Sequence, residues 1–303
     1  MQPDAFTEMT SNGARIDLSD RAKWRLSGAD RVRYLNGQVT NDVRRANASQ
    51  ALYAMVTDIK GRICGDIFIH AASDGLSLLL DAEPALRETL GARLERYIIA
   101  DDAVLEDITE EWQIIHGINT SPPNGAVSTS RFGEAGWDLW LPAAGTVPQE
   151  IEALPLLAPD AIESMRIARG IPRFPNELNL EAFPPEAGLE GRAMDFSKGC
   201  YIGQEILSRI RTTGKMPREL VTWRTTEAKT TVSVGDHLYF SGENDTRKDI
   251  GIVTSVARDP TDDRWMGLAY VKLGSAEVDS VLLVGPDMAK IHTLIQITAH
   301  CRK

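Results

Sequence analysis

Lys198-Gly199-Cys200-Tyr201-Ile202-Gly203-Gln204-Glu205 gathers a cationic amine, a thiol, two glycines, a phenol, an amide and a carboxylate within eight residues. Solvated surface and plain core rarely collect such groups together, so the stretch reads as a site. The thiol leads the reading, because only the thiolate is strongly nucleophilic or metal-binding, and a nearby lysine or a helix N-terminus lowers its pKa. Lys198 stands two residues from Cys200. Ile202, Ile206 and Ile210 follow at the spacing of one helical face, which predicts a helix starting at Tyr201 or Ile202 with Cys200 at its positive end. Gly199 lets the backbone turn tightly or a ligand approach. Gln204 and Glu205 offer amide and carboxylate groups suited to a fused heterocycle with alternating N–H and C=O edges. The bland alternative makes Cys200 a small buried hydrophobe and the glycines turn residues.

Other stretches join this one in order. Gly28-Ala29-Asp30 precedes Tyr34-Leu35-Asn36-Gly37-Gln38-Val39-Thr40-Asn41-Asp42, then come Lys60-Gly61-Arg62 ahead of Asp66, and Arg169-Gly170-Ile171-Pro172. Together with the run from Lys198 to Glu205 they resemble the signature of the YgfZ family, folate-binding proteins related to the T-protein (aminomethyltransferase) of the glycine cleavage system. A mitochondrial branch of that family assists iron-sulfur cluster assembly. The resemblance covers most of the first two-thirds of the chain and, more weakly, its end.

The resemblance implies a cofactor, tetrahydrofolate or a folate derivative, and a set of residues to hold it. T-proteins carry two adjacent acids after a Gly-Gly pair at the start of a strand; the matching stretch here is Gly61-Arg62-Ile63-Cys64-Gly65-Asp66, so one acid is replaced by Gly65. Asp66 remains to hold a folate ring nitrogen, or pairs with a strand neighbour. Pro184-Pro185-Glu186 resembles the T-protein segment whose carboxylate takes the pterin, in which case Glu186 accepts two N–H donors from the pyrimidinone edge; otherwise Glu186 is a loop residue facing water. Tyr201, Gln204 and Glu205 complete the expected folate-binding set. Cys200 and Lys198 are the expected reactive pair. Asn41 and Asp42 read equally as a turn or helix cap.

Composition sets bounds. A chain of 303 residues suffices for one large or two to three small domains, and folding at this size buries roughly three quarters of the unfolded surface. The formal charge of -10 argues against broad nucleic-acid binding. Arg209, Arg211, Lys215 and Arg218 run against that sign, as a solvated face or as a patch for an anionic ligand tail such as polyglutamate. Cys64, Cys200 and Cys301 form no CxxC pair and fit a reducing compartment. His70, His116, His237, His292 and His300 show no metal-binding spacing, so no structural zinc is expected. If an iron-sulfur cluster is touched, Cys200 supplies one ligand and a partner the rest. Met1 through Asn12 has no apolar leader core and no apolar run approaches membrane-spanning length, so the expectation is a cytoplasmic protein with no membrane contact.

The pattern along the chain predicts an α+β fold. It reads as a short helix over Asp30–Leu35, a hairpin of Ala51–Thr57 and Ile63–His70, a strand at Leu76–Leu80, and a helix from Pro84 with Leu86, Leu90, Leu94 and Tyr97 on one face. Strands follow at Trp112–Ile118 and Trp137–Leu141, then a helix over Asp160–Arg169. A long loop spans 171–191, of a kind that is often functional. After Pro217, β-rich runs at Glu219–Thr225, Val232–Phe240, Ile250–Val256, Trp265–Val271 and Ile291–Ala299 suggest a small antiparallel β-barrel. The expected organisation is a T-protein-like folate-binding region of mixed sheets and helices over 1–216, with an inserted subdomain at about 47–135, and a C-terminal barrel over 217–303.

Two functions follow from the resemblance. One is a tetrahydrofolate-binding accessory factor whose Cys200 supports assembly or repair of iron-sulfur enzymes, including those that thiolate tRNA. Its partners would be folate and iron-sulfur enzymes or assembly proteins, without direct nucleic-acid contact. The other is a folate-dependent aminomethyltransferase-like one-carbon transferase, against which the glycine at position 65 counts.

Overall fold

The sequence from Ala14 onward builds strands wherever branched and aromatic residues alternate with small or polar ones. The computed structural model describes residues 10–228, 230–241, 247–291 and 293–301. His292 and the first nine residues of the polar N-terminal stretch lie outside the described residues. The chain divides into two units, one of Met1–Leu157, Asn179–Glu181 and Gly191–Ser208, the other of Ala158–Leu178, Ala182–Glu190 and Arg209–Lys303.

The first unit carries strands β1 (Ala14–Asp17), β2 (Ala22–Ser27), β3 (Leu52–Thr57), β4 (Ile63–Ala71), β5 (Leu78–Ala82), β6 (Val104–Asp107), β7 (Trp112–Ile118), β8 (Val127–Thr129) and β9 (Gly136–Pro142). They form a five-stranded sheet in the order β3-β4-β5-β2-β6 and a four-stranded sheet in the order β1-β7-β9-β8. Helix α1 (Arg31–Gln38) continues three residues beyond the expected end at Leu35, through Gly37. Helix α2 (Arg87–Glu95) buries Leu90 and Leu94, with Leu86 just ahead of it, as their spacing predicts. The expected hairpin is β3–β4, antiparallel from Leu52 opposite Ile69 to Thr57 opposite Ile63. Its turn closes because the Asp58 carboxylate accepts the Lys60 and Arg62 amides, both at 2.8 Å, while Gly61 takes φ +74. Strands β1, β2, β6 and β8 were not expected: β1, β6 and β8 are three or four residues long, and β6 is an exposed edge carrying Glu106 and Asp107, with no apolar alternation to signal it.

The two faces of the five-stranded sheet differ. One meets the leucine layer, since a Cβ added at Gly65 would lie 2.9 Å from Leu86 and 3.3 Å from Leu90. On the other, polar side chains of this sheet and of the four-stranded one join in a buried ionic layer. Arg131 donates to Asp81 and to Asp138, Arg21 donates to Asp81, and His116 lies 2.8 Å from Asp138. Burial works against the charge of Asp81, but Arg131 and Arg21 more than offset it and hold its carboxyl well below the usual carboxylate range.

Short helices α3 (Gln149–Glu152) and α5 (Glu190–Ala193) flank helix α4 (Pro159–Ala168), and α6 (Gln204–Thr213) leads into the last strands. In the second unit β10 (Arg218–Thr225), β11 (His237–Ser241), β12 (Arg247–Arg258), β13 (Trp265–Lys272), β14 (Val281–Gly285) and β15 (Thr293–His300) close a barrel in the order β10-β13-β12-β11-β14-β15. Five of the six were expected; β14 is a five-residue apolar run without alternation. The loop over 171–178 is fixed by the buried Glu177 carboxylate, which accepts from Ser255 at 2.6 Å, Arg166 at 3.2 Å and the Arg173 amide at 3.0 Å. Among the described residues no helix is long and apolar enough to cross a membrane.

Candidate functional site

The motif from Lys198 to Glu205 divides its residues between structure and surface. Lys198 is buried, and its ammonium donates three hydrogen bonds of 2.7 Å, to the carbonyls of Asn36, Val39 and Asn41. A lysine has three donors, so this one is fully used in closing the C-terminal end of α1, where a cation also meets the favourable end of the helix dipole. Burial lowers its pKa to about 8, against the raising influence of Asp42 and Asp195. Its hydrogen bonds serve the backbone. The lysine expected to pair with Cys200 is thus one whose three donors are already engaged by carbonyls.

Tyr201 is also buried, with the Lys198 ammonium 5.1 Å from its ring centroid. Burial pushes its phenol up to about 12, and its hydroxyl has no hydrogen-bond partner among the described residues. The Tyr201 amide donates to the side-chain oxygen of Gln204 at 3.2 Å while the Gln204 amide donates to the Tyr201 carbonyl at 3.2 Å. This reciprocal pair starts α6 at Gln204, later than the isoleucine spacing predicted, in the manner of a capping box. Cys200 therefore precedes the helix by four residues instead of standing directly at its positive end. The Gln204 side-chain oxygen is spent on the chain, and Glu205 is exposed in the first turn of α6.

Gly203 explains how the loop seats. It takes φ +87, and a Cβ there would lie 2.6 Å from the Asp58 carbonyl and 2.9 Å from Gly61. Two glycines thus let the motif lie against the β3–β4 turn, where the Thr57 hydroxyl donates to the Ile202 carbonyl at 2.6 Å. Cys200 stays exposed. It opens onto a cleft of about 270 Å³ lined by Ile59, Cys200, Tyr201, Ile202, Gly203, Gln204 and Glu205, and Ile59 at the turn is 74% exposed. The bland reading of Cys200 as a buried hydrophobe is excluded by this exposure.

Asp66 lies elsewhere in the first unit, on β4 opposite Met55. It is buried; Oδ2 accepts from the Tyr53 hydroxyl at 3.0 Å, and Oδ1 has no partner among the described residues. Burial pushes its carboxyl up to about 6 despite the opposing field of Arg21. Tyr53 and Phe68 stack at 4.6 Å between ring centroids, and the Arg131 guanidinium stands 3.8 Å from the centroid of Phe68. A flat heterocycle bearing an N–H donor fits this chemistry. Gly65, by contrast, points to the leucine layer, so an acid there would face away from Asp66.

Glu186 belongs to the second unit and is fully buried rather than water-facing. Its Oε2 accepts from the Phe183 amide at 3.0 Å and from Arg218 at 3.2 Å, and Arg218 in turn lies 4.1 Å from the ring centroid of Tyr270. At least one carboxylate oxygen is thus engaged by the chain's own donors. Arg218 is no part of a free basic face. Asp42 caps a short 3-10 turn by accepting the Arg44 amide, while the Asn41 side chain donates to the Tyr53 carbonyl. No group of three His, Cys, Asp or Glu comes together as a metal site among the described residues. Sequence reasoning missed Arg21, Asp81, Arg131 and Asp138. The signal was available in Leu78-Leu79-Leu80-Asp81 and Trp137-Asp138-Leu139, where an acid interrupts an otherwise apolar strand and so demands a buried partner.

No protein-family model matches the chain. A protein named tRNA-modifying protein YgfZ from Sodalis glossinidius is 27% identical over 247 residues, covering 74% of this chain and 74% of its own length. An iron-sulfur cluster assembly factor IBA57 homolog, mitochondrial, from Mycosarcoma maydis is 28% identical over 72% of this chain and 59% of its own. An aminomethyltransferase from Rubrobacter xylanophilus is 26% identical over 84% of this chain and 75% of its own. The crystal structure of glycine cleavage system aminomethyltransferase T from Bartonella henselae superposes with a TM-score of 0.79 at 14% identity, covering 95% of this chain and 85% of that one, and so shares the fold. The chain thus shares the fold of an aminomethyltransferase and is similar over up to 92% of its length to proteins named YgfZ.

Proposed function

We propose that this protein is a tetrahydrofolate-binding accessory factor that supports iron-sulfur enzymes, including those that modify tRNA, with Cys200 as its working thiol. The observation that carries this reading is the division of labour within the motif. Lys198 and Tyr201 are buried in the protein's interior, Gln204 starts a helix, and Cys200 alone is left as an exposed nucleophile beside a cleft. The relatives named for tRNA modification and for iron-sulfur cluster assembly support the same role.

Folate is supported by chemistry of the first unit. A buried carboxylate with a spare acceptor oxygen, beside stacked aromatic rings, suits the N–H of a reduced pterin. Asp66 would orient the ring and exclude water from the polar face, and the bound folate would supply one-carbon chemistry if any occurs. Glu186 serves as a second carboxylate only as far as its bonds to Phe183 and Arg218 leave it capacity.

The test is complementation. Cys200→Ala should fold, bind tetrahydrofolate as wild type does, and fail to restore an iron-sulfur tRNA-thiolating enzyme in cells lacking the native protein. Full restoration by that variant would remove the thiol from the mechanism. Absence of saturable tetrahydrofolate binding in calorimetry would remove the folate.

A further inference from the structure

The end of α1 and the stretch after it are held by the thiol motif. Of the six carbonyls from Asn36 to Asn41, five accept hydrogen bonds from residues 195–202: the Lys198 ammonium donates to those of Asn36, Val39 and Asn41, the Ile202 amide to that of Gly37 at 3.2 Å, and the Asp195 amide to that of Thr40 at 3.0 Å. Thr40 in turn ties this stretch to the sheet. Its hydroxyl donates to the Ala193 carbonyl at 2.6 Å and accepts the Met55 amide of β3 at 3.0 Å. All of these residues belong to the first unit.

A helix end does not require so much. Its orphan carbonyls are ordinarily met by water or by a glycine cap, and a lysine buried for the purpose gives up the hydration of its charge. What the arrangement secures lies between its two contacts. Lys198 and Ile202 are both fixed on the end of α1, and Ile202 is fixed a second time where its carbonyl accepts from the Thr57 hydroxyl at 2.6 Å. Between them Tyr201 is buried, Gly199 and Cys200 are exposed, and a Cβ at Gly199 would meet nothing within 4 Å. The thiol thus stands on a short arch, open on the outside, with both feet pinned to one element. A loop without such pins samples many positions, and fixing it beforehand removes entropy that would otherwise be lost when the thiol meets its partner.

We propose that residues 36–41 are a platform that positions the working thiol, with Lys198 and Thr57 as positioning residues that pin the two feet of the Cys200 arch. This rests on the reading of Cys200 as that thiol and adds to it the residues that hold it in place. It also gives 36–41 a task beyond the turn or cap that its residue types suggest.

The experiment measures two properties of each full-length variant: restoration of an iron-sulfur tRNA-thiolating enzyme at matched protein levels in cells lacking the native protein, and the rate at which iodoacetamide alkylates Cys200 in the purified protein, followed by mass spectrometry of its peptide. Thr57→Val keeps the shape of the side chain and removes the hydroxyl that holds Ile202; Lys198→Met frees the other foot. Both should lower restoration by roughly tenfold or more, while the exposed thiol is alkylated within about twofold of the wild-type rate. Thr57→Ser, which returns the hydroxyl, should restore as wild type does. Should Lys198→Met fail to fold, the two Thr57 variants decide alone. Wild-type restoration by Thr57→Val would overturn the positioning role and leave the thiol reading standing. Alkylation slowed in step with restoration would also overturn it, since the thiol would then be lost to reaction and not misplaced. Full restoration by Cys200→Ala would overturn both readings.

Discussion

Asp66→Asn is expected to stabilise the protein at neutral pH and to change how its stability responds to acid. Burial raises the Asp66 carboxyl from 3.8 to about 6, with Arg21 offsetting only part of the effect. The folded state therefore holds the proton more tightly than the unfolded state. The stability this contributes is fully present below about pH 4 and is lost as pH rises through about 6. At about 1.36 kcal/mol per pKa unit, the ionised carboxylate costs the fold roughly 3 kcal/mol at pH 7. Asparagine removes that cost and keeps an oxygen for the Tyr53 hydroxyl, but it sets an amide where Oδ1 stood, at a penalty of about 1–2 kcal/mol for its unmet donors. The variant should thus be more stable than wild type by about 1–2 kcal/mol at pH 7.5 and less stable by a similar amount at pH 4. Urea unfolding at a series of pH values, read from midpoints at constant slope, measures the difference directly. A gap between the two proteins that stays constant from pH 4 to 7.5 would refute the buried ionised carboxylate.

Five further variants have expected outcomes. Lys198→Met strands three buried carbonyls but relieves a buried charge, and should destabilise by about 2–4 kcal/mol in chemical denaturation, whereas Cys200→Ala at its exposed position should stay within about 0.5 kcal/mol of wild type. Gly203→Ala forces a side chain at φ +87 to within 2.6 Å of the Asp58 carbonyl, and should cost at least about 2 kcal/mol and shift the amide resonances of the 58–61 turn. Arg131→Met leaves Asp138 and part of Asp81 uncompensated in the interior, and a loss of about 3–5 kcal/mol is expected from thermal unfolding. Gly65→Asp should destabilise by about 3 kcal/mol or more and bring no aminomethyl transfer from a loaded carrier protein; turnover in that assay would show that position 65 reaches the reacting atoms after all.

What could be seen in the sequence was whatever rests on local pattern. The β3–β4 hairpin, α2, α4 and five barrel strands follow from periodicity, and the Asp58 to Gly61 turn from its own residue types. The site was harder, because the same residue types serve either chemistry or architecture and only long-range partners decide between them. Lys198 lies beside Cys200 in sequence, yet its ammonium is held by carbonyls more than 150 residues away in the chain. Nothing local announces that. Glu186 likewise reads as a loop residue until Arg218 and the Phe183 amide are seen around it.

Position 65 shows the same point from the other side. The sequence comparison treats the glycine there as one lost member of a pair of acids, which weighs against transferase chemistry. Neighbouring residues on a strand face opposite sides, and in this fold position 65 faces Leu86 and Leu90 while position 66 faces Tyr53 and Arg21. Two acids at these positions could not act on one atom from the same side, so the glycine records how closely α2 packs on the sheet. The polar face keeps its carboxylate, and the choice between accessory factor and transferase rests on the exposed thiol of Cys200, which an aminomethyl transfer through Asp66 would leave without a task.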